Sequence, residues 1–327
     1  MTKEKKYIEV NFYKLWKHVR INRTAKEKMK TFLFSTMPFL FNKFASCYHW
    51  KNARVFAGNP YVSDSLLSTL KKEKNNTPPN LAIVLHVYYN DVFAGILKQI
   101  PVDENLSIKL FITCPGEVKP DIEKTLLPYT FNHEIMVVEN RGRDILPFLK
   151  VLPVAFNQGF NLILKLHTKR SNHLNKKEPW SSDLFNKLLG TNNVRNILNL
   201  FSVYPQIGMI GPAGNILPMA LYYGGNALKV KELCFQMGLS ENQLKNLNFV
   251  AGSMFYARKE VLKPVLKLGL SEKDFEPENK QLDNTMAHAV ERIFPAGLMM
   301  NEMYLADTNS TPQSLSCKIT LNHPFTL

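Results

Sequence analysis

The stretch "NLILKLHTKRSNH", residues 161–173, decides how the rest of the chain is read. Leu162, Ile163, Leu164 and Leu166 begin it as a buried strand, and His167, Thr168, Lys169, Arg170 and Ser171 follow. In an extended chain alternate residues share a face, so Lys165, His167 and Lys169 point the same way. Two readings stand. An apolar strand can simply surface into a solvated basic loop. Alternatively, the basic side chains form an anion site at the carboxyl end of a strand, where open α/β sheets bind their ligands.

Outward from that strand, apolar runs alternate with helical spacing. "LAIVLHVYY" (81–89), "SIKLFITC" (107–114) and "HEIMVVEN" (133–140) read as strands. "DVFAGILKQI" (91–100) and "DILPFLKVLPVAFNQG" (144–159) read as helices, the second broken or kinked at Pro153. Four strands with helical connections predict a parallel sheet covered by helices. Further along, 179–202 has helical spacing and "IGMIGP" (207–212) reads as a short buried strand. "NFVAGSMFYAR" (248–258) reads as one strand with small residues at its middle, and 281–294 as a long helix. Residues 302–327 are turn-rich and weakly periodic.

The chain has 327 residues, 45% apolar and 11% aromatic, enough for a substantial core. Its net charge of +14 is unevenly spread. Residues 1–75 hold 16 Lys or Arg against 5 Asp or Glu; the rest of the chain holds 25 against 22. The near-neutral main body argues against a nucleic-acid groove. The basic segment interleaves its charges with aromatic residues such as Phe12, Trp16, Phe32 and Phe41. That pattern suits an anionic membrane surface, and equally a solvated basic helix packed on the main domain. "KKEKNNTPPN" (71–80) has the composition of a linker. This divides the chain into a basic amphipathic extension, 1–75, and a main domain, 80–327. The run "FLFSTMPFLF" (32–41) is too short to span a bilayer and lacks the flanks of a signal peptide. Cys47, Cys114, Cys234 and Cys317 have neither metal nor redox spacing, which predicts ordinary thiols in a reducing, intracellular compartment.

Four further motifs carry the chemistry. In "ENRGRDILPFL" (139–149), Gly142 permits a tight turn, Arg141 and Arg143 flank it, and Asp144 can cap the following helix. The same residues can contact a nucleotide, since arginine forks suit phosphates and a carboxylate accepts from a base or ribose. One glycine is neither a dinucleotide fingerprint nor a P-loop. In "HVYYND" (86–91), His86 and Tyr88 close the first strand, as packing or as phosphate and base contacts. Gly252 and Ser253 stand inside "FVAGSMFYAR", where a strand glycine marks close approach of ligand or backbone. In "DFEPENKQLDNTMAHAVER" (274–292), Asp283 falls near a helix start with His288 and Glu291 beyond it. A carboxylate there is either a general base or a cap stabilised by the helix dipole.

In their order, "ENRGRDILPFL", "LILKLHTKRS", "IGMIGP", "VAGSMFYAR" and "DFEPENKQLDNTMAHAVER" resemble the rhamnan-synthesis protein F family of bacterial surface-polysaccharide gene sets, over about residues 80–300. The resemblance implies a glycosyltransferase A-like, Rossmann-type, mostly parallel sheet flanked by helices, with residues 1–75 as a basic, mainly helical extension. It also implies a nucleotide-sugar donor, with dTDP-L-rhamnose expected, and a lipid-linked or glycan acceptor in O-antigen or rhamnan synthesis. His86, Tyr88, Arg141, Asp144, His167, Lys169 and Arg170 are then the donor side, and Gly252, Ser253 and His288 the acceptor side. Such folds carry an Asp-x-Asp metal motif where this chain reads His167-Thr168-Lys169. No metal or other cofactor is therefore expected; fixed cations would stabilise the leaving diphosphate instead. Of the acidic pair found in fold relatives, Asp283 matches the second member, with Glu276 and Asp274 as competitors. These expectations describe an inverting, metal-independent rhamnosyltransferase, cytoplasmic and peripheral on the inner face of the membrane, with no nucleic-acid partner. The rivals are another nucleotide sugar on the same machinery, or a silent glycan-binding scaffold.

Overall fold

The computed structural model describes residues 67–73, 79–102, 106–168, 180–219, 222–278 and 283–320. The expected basic extension lies outside them except for its end. There Leu67 is buried in the core and the Glu73 amide donates to the Val203 carbonyl at 2.8 Å.

The first part of the domain alternates strictly: β1 (Leu81–His86), α1 (Asn90–Leu97), β2 (Ile108–Cys114), α2 (Lys119–Leu126), β3 (Asn132–Val137), α3 (Ile145–Asn157) and β4 (Leu162–His167). Then follow α4 (Trp180–Leu188), α5 (Thr191–Val203), β5 (Ile207–Gly211) and β6 (Ile216–Pro218). The remainder comprises α6 (Ala227–Gln236), α7 (Glu241–Lys245), β7 (Asn248–Val250), β8 (Phe255–Arg258), α8 (Lys259–Leu266), α9 (Met286–Ile293), α10 (Ala296–Met300) and β9 (Tyr304–Asp307).

Seven strands form one sheet in the order β3-β2-β1-β4-β8-β5-β9. All pairs are parallel except those of β8, which runs against β4 and β5. The fold is thus α/β, a mostly parallel sheet flanked by helices, as the alternation predicts. β1 and β4 are buried at every position, the mark of strands covered on both faces. The edge strand β3 is exposed or half-buried throughout. α3 runs unbroken through Pro153. A proline removes one backbone donor, and the buried Val151, Leu152 and Ala155 hold the helix in place around it.

Besides the unbroken α3, and the helix expected over 281–294, which runs from Met286 to Ile293, the structure differs from the sequence reading in three elements. Residues 248–258 form two strands in two sheets, because a turn at Gly252 (φ +89°) and Ser253 (φ +56°) separates β7 from β8. β7 pairs with β6, and β8 enters the main sheet. The helical stretch from 179 is two helices, parted at Leu189–Gly190. β9, inside the weakly periodic tail, pairs in parallel with β5.

Gly142 fixes the turn between β3 and α3. Its φ is +67°, and an added Cβ would stand 2.5 Å from the Leu146 Cβ and 2.8 Å from the Phe275 ring. Gly142→Ala should therefore lower unfolding stability by about 2 kcal/mol or more, from backbone strain and overpacking together. Equilibrium urea denaturation measures it; a loss below about 0.5 kcal/mol would mean that the turn relaxes freely.

Candidate functional site

The parallel strands β1, β2 and β4 end together. His86 and His167 are register partners on β1 and β4, and His86 faces Thr113 on β2. Beyond them the Thr168 hydroxyl accepts from the Tyr88 and Tyr89 amides at 2.9 and 3.0 Å, and the Thr168 amide donates to the His86 carbonyl. This ties the exit of β4 to the start of α1. Tyr88 is left 43% exposed, its ring edge-on to Tyr89 at 5.0 Å. That is the placement of a stacking platform.

Neither Lys165 nor His167 surfaces: they are 1% and 3% exposed. The solvated-loop reading therefore does not apply to these two residues. Lys169 and Arg170 lie outside the described residues. Lys165 Nζ pairs with the Asp144 carboxylate and donates to the Ser253 carbonyl at 3.0 Å. His167 Nε2 meets the Gly252 carbonyl at 2.9 Å. A carbonyl only accepts, so Nε2 carries the proton. Glu291 on α9 accepts from the Gly252 amide at 2.9 Å. Three side chains from two elements thus grip a two-residue left-handed turn. The Ser253 hydroxyl is buried there without a protein partner.

The "NRGRD" turn faces the same end. Gly142 and Arg143 are both left-handed, with φ of +67° and +57°. The two arginines consequently diverge. Arg141 turns into the protein and donates to the carbonyls of Glu272 (3.0 Å) and Phe275 (3.4 Å). Its backbone also bridges to Pro277. Arg143 reaches Glu278 at 3.4 Å and His288 Nε2 at 2.8 Å. Arginine can only donate, so His288 is neutral there and carries its proton on Nδ1, which meets the Thr285 hydroxyl at 2.8 Å. Asp144 makes no side-chain cap on α3, contrary to the capping alternative; its carboxylate is on Lys165.

The two expected base candidates sit at the start of α9, and both are engaged. Asp283 accepts from the Gly225 amide at 2.8 Å and from the Asn226 side chain, with Arg292 at 3.7 Å. Burial alone would raise its pKa, but Arg292 and the amides of Gly225 and Asn284 hold it below the usual carboxylate range. Asp283 does not cap α9; Thr285 does. Glu276 accepts from Lys229 at 2.6 Å and from the Met286 amide at 2.8 Å. Asp274 closes a capping box with Ser271, on the surface. The structure thus brings together His86, Asp144, His167, Gly252 and Ser253 around Lys165, and joins His288 to the "NRGRD" turn. Arg141, Glu276 and Asp283 stand on the elements that frame this cluster, each bonded to a neighbouring segment. Among the described residues, no three His, Cys, Asp or Glu converge as a metal site. His167 and Thr168, where an acidic pair would stand, are committed to backbone groups.

Burial pushes the His86 imidazole down to about 4 from 6.5; Asp144 pulls it up, while His167 and Lys165 add to the drop. The unfolded chain then takes up this proton first, so stability falls as pH drops from 6.5 to about 4. His86 alone should contribute about 3 kcal/mol to that loss. His86→Gln should flatten the fall across this window in urea titrations at stepped pH; an unchanged slope would show that His86 is not the group responsible.

The crystal structure of 4-diphosphocytidyl-2C-methyl-D-erythritol synthase from Anaerococcus prevotii aligns with 11% sequence identity and a TM-score of 0.37, covering 72% of this chain and 90% of that one. The uncharacterized protein WxcX, from two strains of Xanthomonas campestris pv. campestris, is 37% identical over 215 residues. That match covers 66% of this chain but 31% of WxcX, so the chain spans about a third of the length of the curated relatives it matches. The family model for rhamnan synthesis protein F matches residues 50–303, most of the sequence and all five motifs, and the chain belongs to that family.

Proposed function

We propose that this chain is a nucleotide-sugar-dependent glycosyltransferase of bacterial surface-polysaccharide synthesis, transferring rhamnose from dTDP-L-rhamnose to a lipid-linked or glycan acceptor. Membership of a rhamnan-synthesis family supports the process. The observation that carries the chemistry is the cluster at the carboxyl end of β1 and β4, where an open α/β sheet takes its ligand. An exposed Tyr88 offers a face for a base, Asp144 stands at the head of α3, and the basic pair Lys169 and Arg170 comes next in the sequence after Thr168. Arg141 and His167 frame this donor side, the first by fixing the turn and the second by holding Gly252. Gly252, Ser253 and His288 border the acceptor side. Transfer is inverting, with one carboxylate removing the acceptor proton as its oxygen attacks the anomeric carbon.

Donor binding is proposed to be independent of divalent metal. The support is the use of His167 and Thr168 on backbone groups in place of an acidic pair. Growing charge on the leaving diphosphate would be met by fixed cations. Among the described residues no helix is long and apolar enough to cross a membrane. Attachment to the inner face of the cytoplasmic membrane is assigned to the basic residues 1–75.

Purified protein incubated with a panel of sugar nucleotides should release nucleoside diphosphate from dTDP-L-rhamnose, with or without a chelator. Release that collapses with chelator and returns with magnesium would overturn the metal-independent part. No release and no binding from any donor would leave the scaffold reading.

Asp283 is proposed as the base, with Glu276 as its competitor. The bonds of Asp283 to Gly225, Asn226 and Arg292 favour a second reading, a latch between the 222–227 segment and α9. As a base, Asp283→Asn should lower turnover by roughly two to four powers of ten at unchanged donor affinity. As a latch, it should lower the melting temperature and leave turnover per folded molecule near normal. Glu276→Gln in the same assay decides between the two carboxylates.

A further inference from the structure

We infer that Lys165 is a positioning residue of the donor site: from inside the sheet it holds Asp144 at the head of α3 and the Gly252–Ser253 turn in place. The inference rests on the donor-binding reading above, and it adds a residue that reading does not use.

Three observations carry it. First, Lys165 is 1% exposed in the middle of β4, yet it is a lysine. Buried ion pairs of this kind are often no more stabilising than packed apolar side chains. Stability alone therefore gives little reason for a charge here. Second, Asp144 stands at the N-cap position of α3 and makes no side-chain cap bond. The Leu146 amide is already given to the Gly142 carbonyl and Pro147 has none, so no cap amide is open to this carboxylate. Lys165 is the partner that holds the carboxylate. Third, the same ammonium donates to the Ser253 carbonyl at 3.0 Å, one residue beyond the carbonyl that His167 holds at 2.9 Å. Ser253 is a non-glycine residue at φ +56°, and such strain persists only where its surroundings over-determine it. The Phe148 ring, 5.3 Å from Nζ, closes the remaining side of the ammonium. One cation thus fixes two separate turns, from opposite parts of the chain, at the edge where the nucleotide is proposed to bind. Without it the Asp144 carboxylate would lose its ammonium partner, and the turn would lose one of its three grips.

The test is a double-mutant cycle on dTDP affinity, measured by calorimetry with the full chain. Lys165→Met keeps the stem and removes the charge. Asp144→Asn keeps an oxygen for Lys165 and removes the carboxylate. Each single variant should bind dTDP about ten- to a hundredfold more weakly, the range expected for one charge-assisted hydrogen bond. The double variant should bind no more weakly than Asp144→Asn alone, because Lys165 reaches the nucleotide through Asp144, while the Gly252–Ser253 turn it also holds borders the acceptor side. Where Lys165→Met does not fold, the double variant leaves no carboxylate buried unpaired, and its comparison with Asp144→Asn still decides. Wild-type affinity in a folded Lys165→Met protein overturns the inference. So do fully multiplying losses in the double variant, which would make Lys165 an independent contact. A wild-type protein that binds neither dTDP nor UDP overturns the donor reading itself, an outcome distinct from either.

Discussion

An ammonium in the middle of a fully covered strand is tolerated only if its charge and its hydrogens are met inside the protein. Lys165 sets that condition for this fold. Asp144 meets the charge, the Ser253 carbonyl meets a hydrogen, and the Phe148 ring lies alongside. Meeting the condition brings the start of α3 and the β7–β8 turn to the carboxyl end of β4. β8 runs antiparallel to β4 directly after that turn. Its first residue, Phe255, pairs with Lys165, so the chain must turn just before it, at Gly252 and Ser253. The one strand that breaks the parallel sheet is thus the one whose entry turn the buried lysine holds.

How far the sequence foretold this depends on which interactions are local. β1, β2 and β4 were legible because strands covered on both faces appear as continuous apolar runs with turn residues behind them. β9 was not, since it is a four-residue strand that gains its place by pairing with β5. The run 248–258 was misread for a related reason. Its apolar pattern is continuous, and only the left-handed pair at its middle divides it between two sheets. The glycine there does mark a close approach, as strand glycines do. What approaches are the side chains of His167 and Glu291.

Site residues were legible by type and not by partner. Arg141 and Arg143 stand symmetrically about Gly142 in the sequence, and nothing local separates them. The consecutive left-handed conformations of Gly142 and Arg143 do, sending one guanidinium to the carbonyls of Glu272 and Phe275 and the other to His288. Asp283 poses the same difficulty. A carboxylate before an amphipathic helix suits a base, a cap or a latch equally well. Its donors come from residues 225, 226 and 292, and only the fold assembles them.

Backbone strain gathers at the same edge. Among the described residues, the non-glycine left-handed positions are Arg143, Ser253, Asn284 and Glu302. The first three belong to the three segments that frame the cluster, and each is held from another element. Arg143 is bonded to His288, the Ser253 carbonyl to Lys165, and the Asn284 carbonyl to Lys229 at 3.3 Å. A stable core has no use for strain that must be held in this way. A binding edge does, because turns fixed before the ligand arrives need not be ordered when it binds, and that ordering is a main cost of association. The strained turns and the buried lysine are therefore one arrangement: the lysine supplies the grip that lets a strained turn persist, and the turn supplies the carbonyl that lets a lysine be buried.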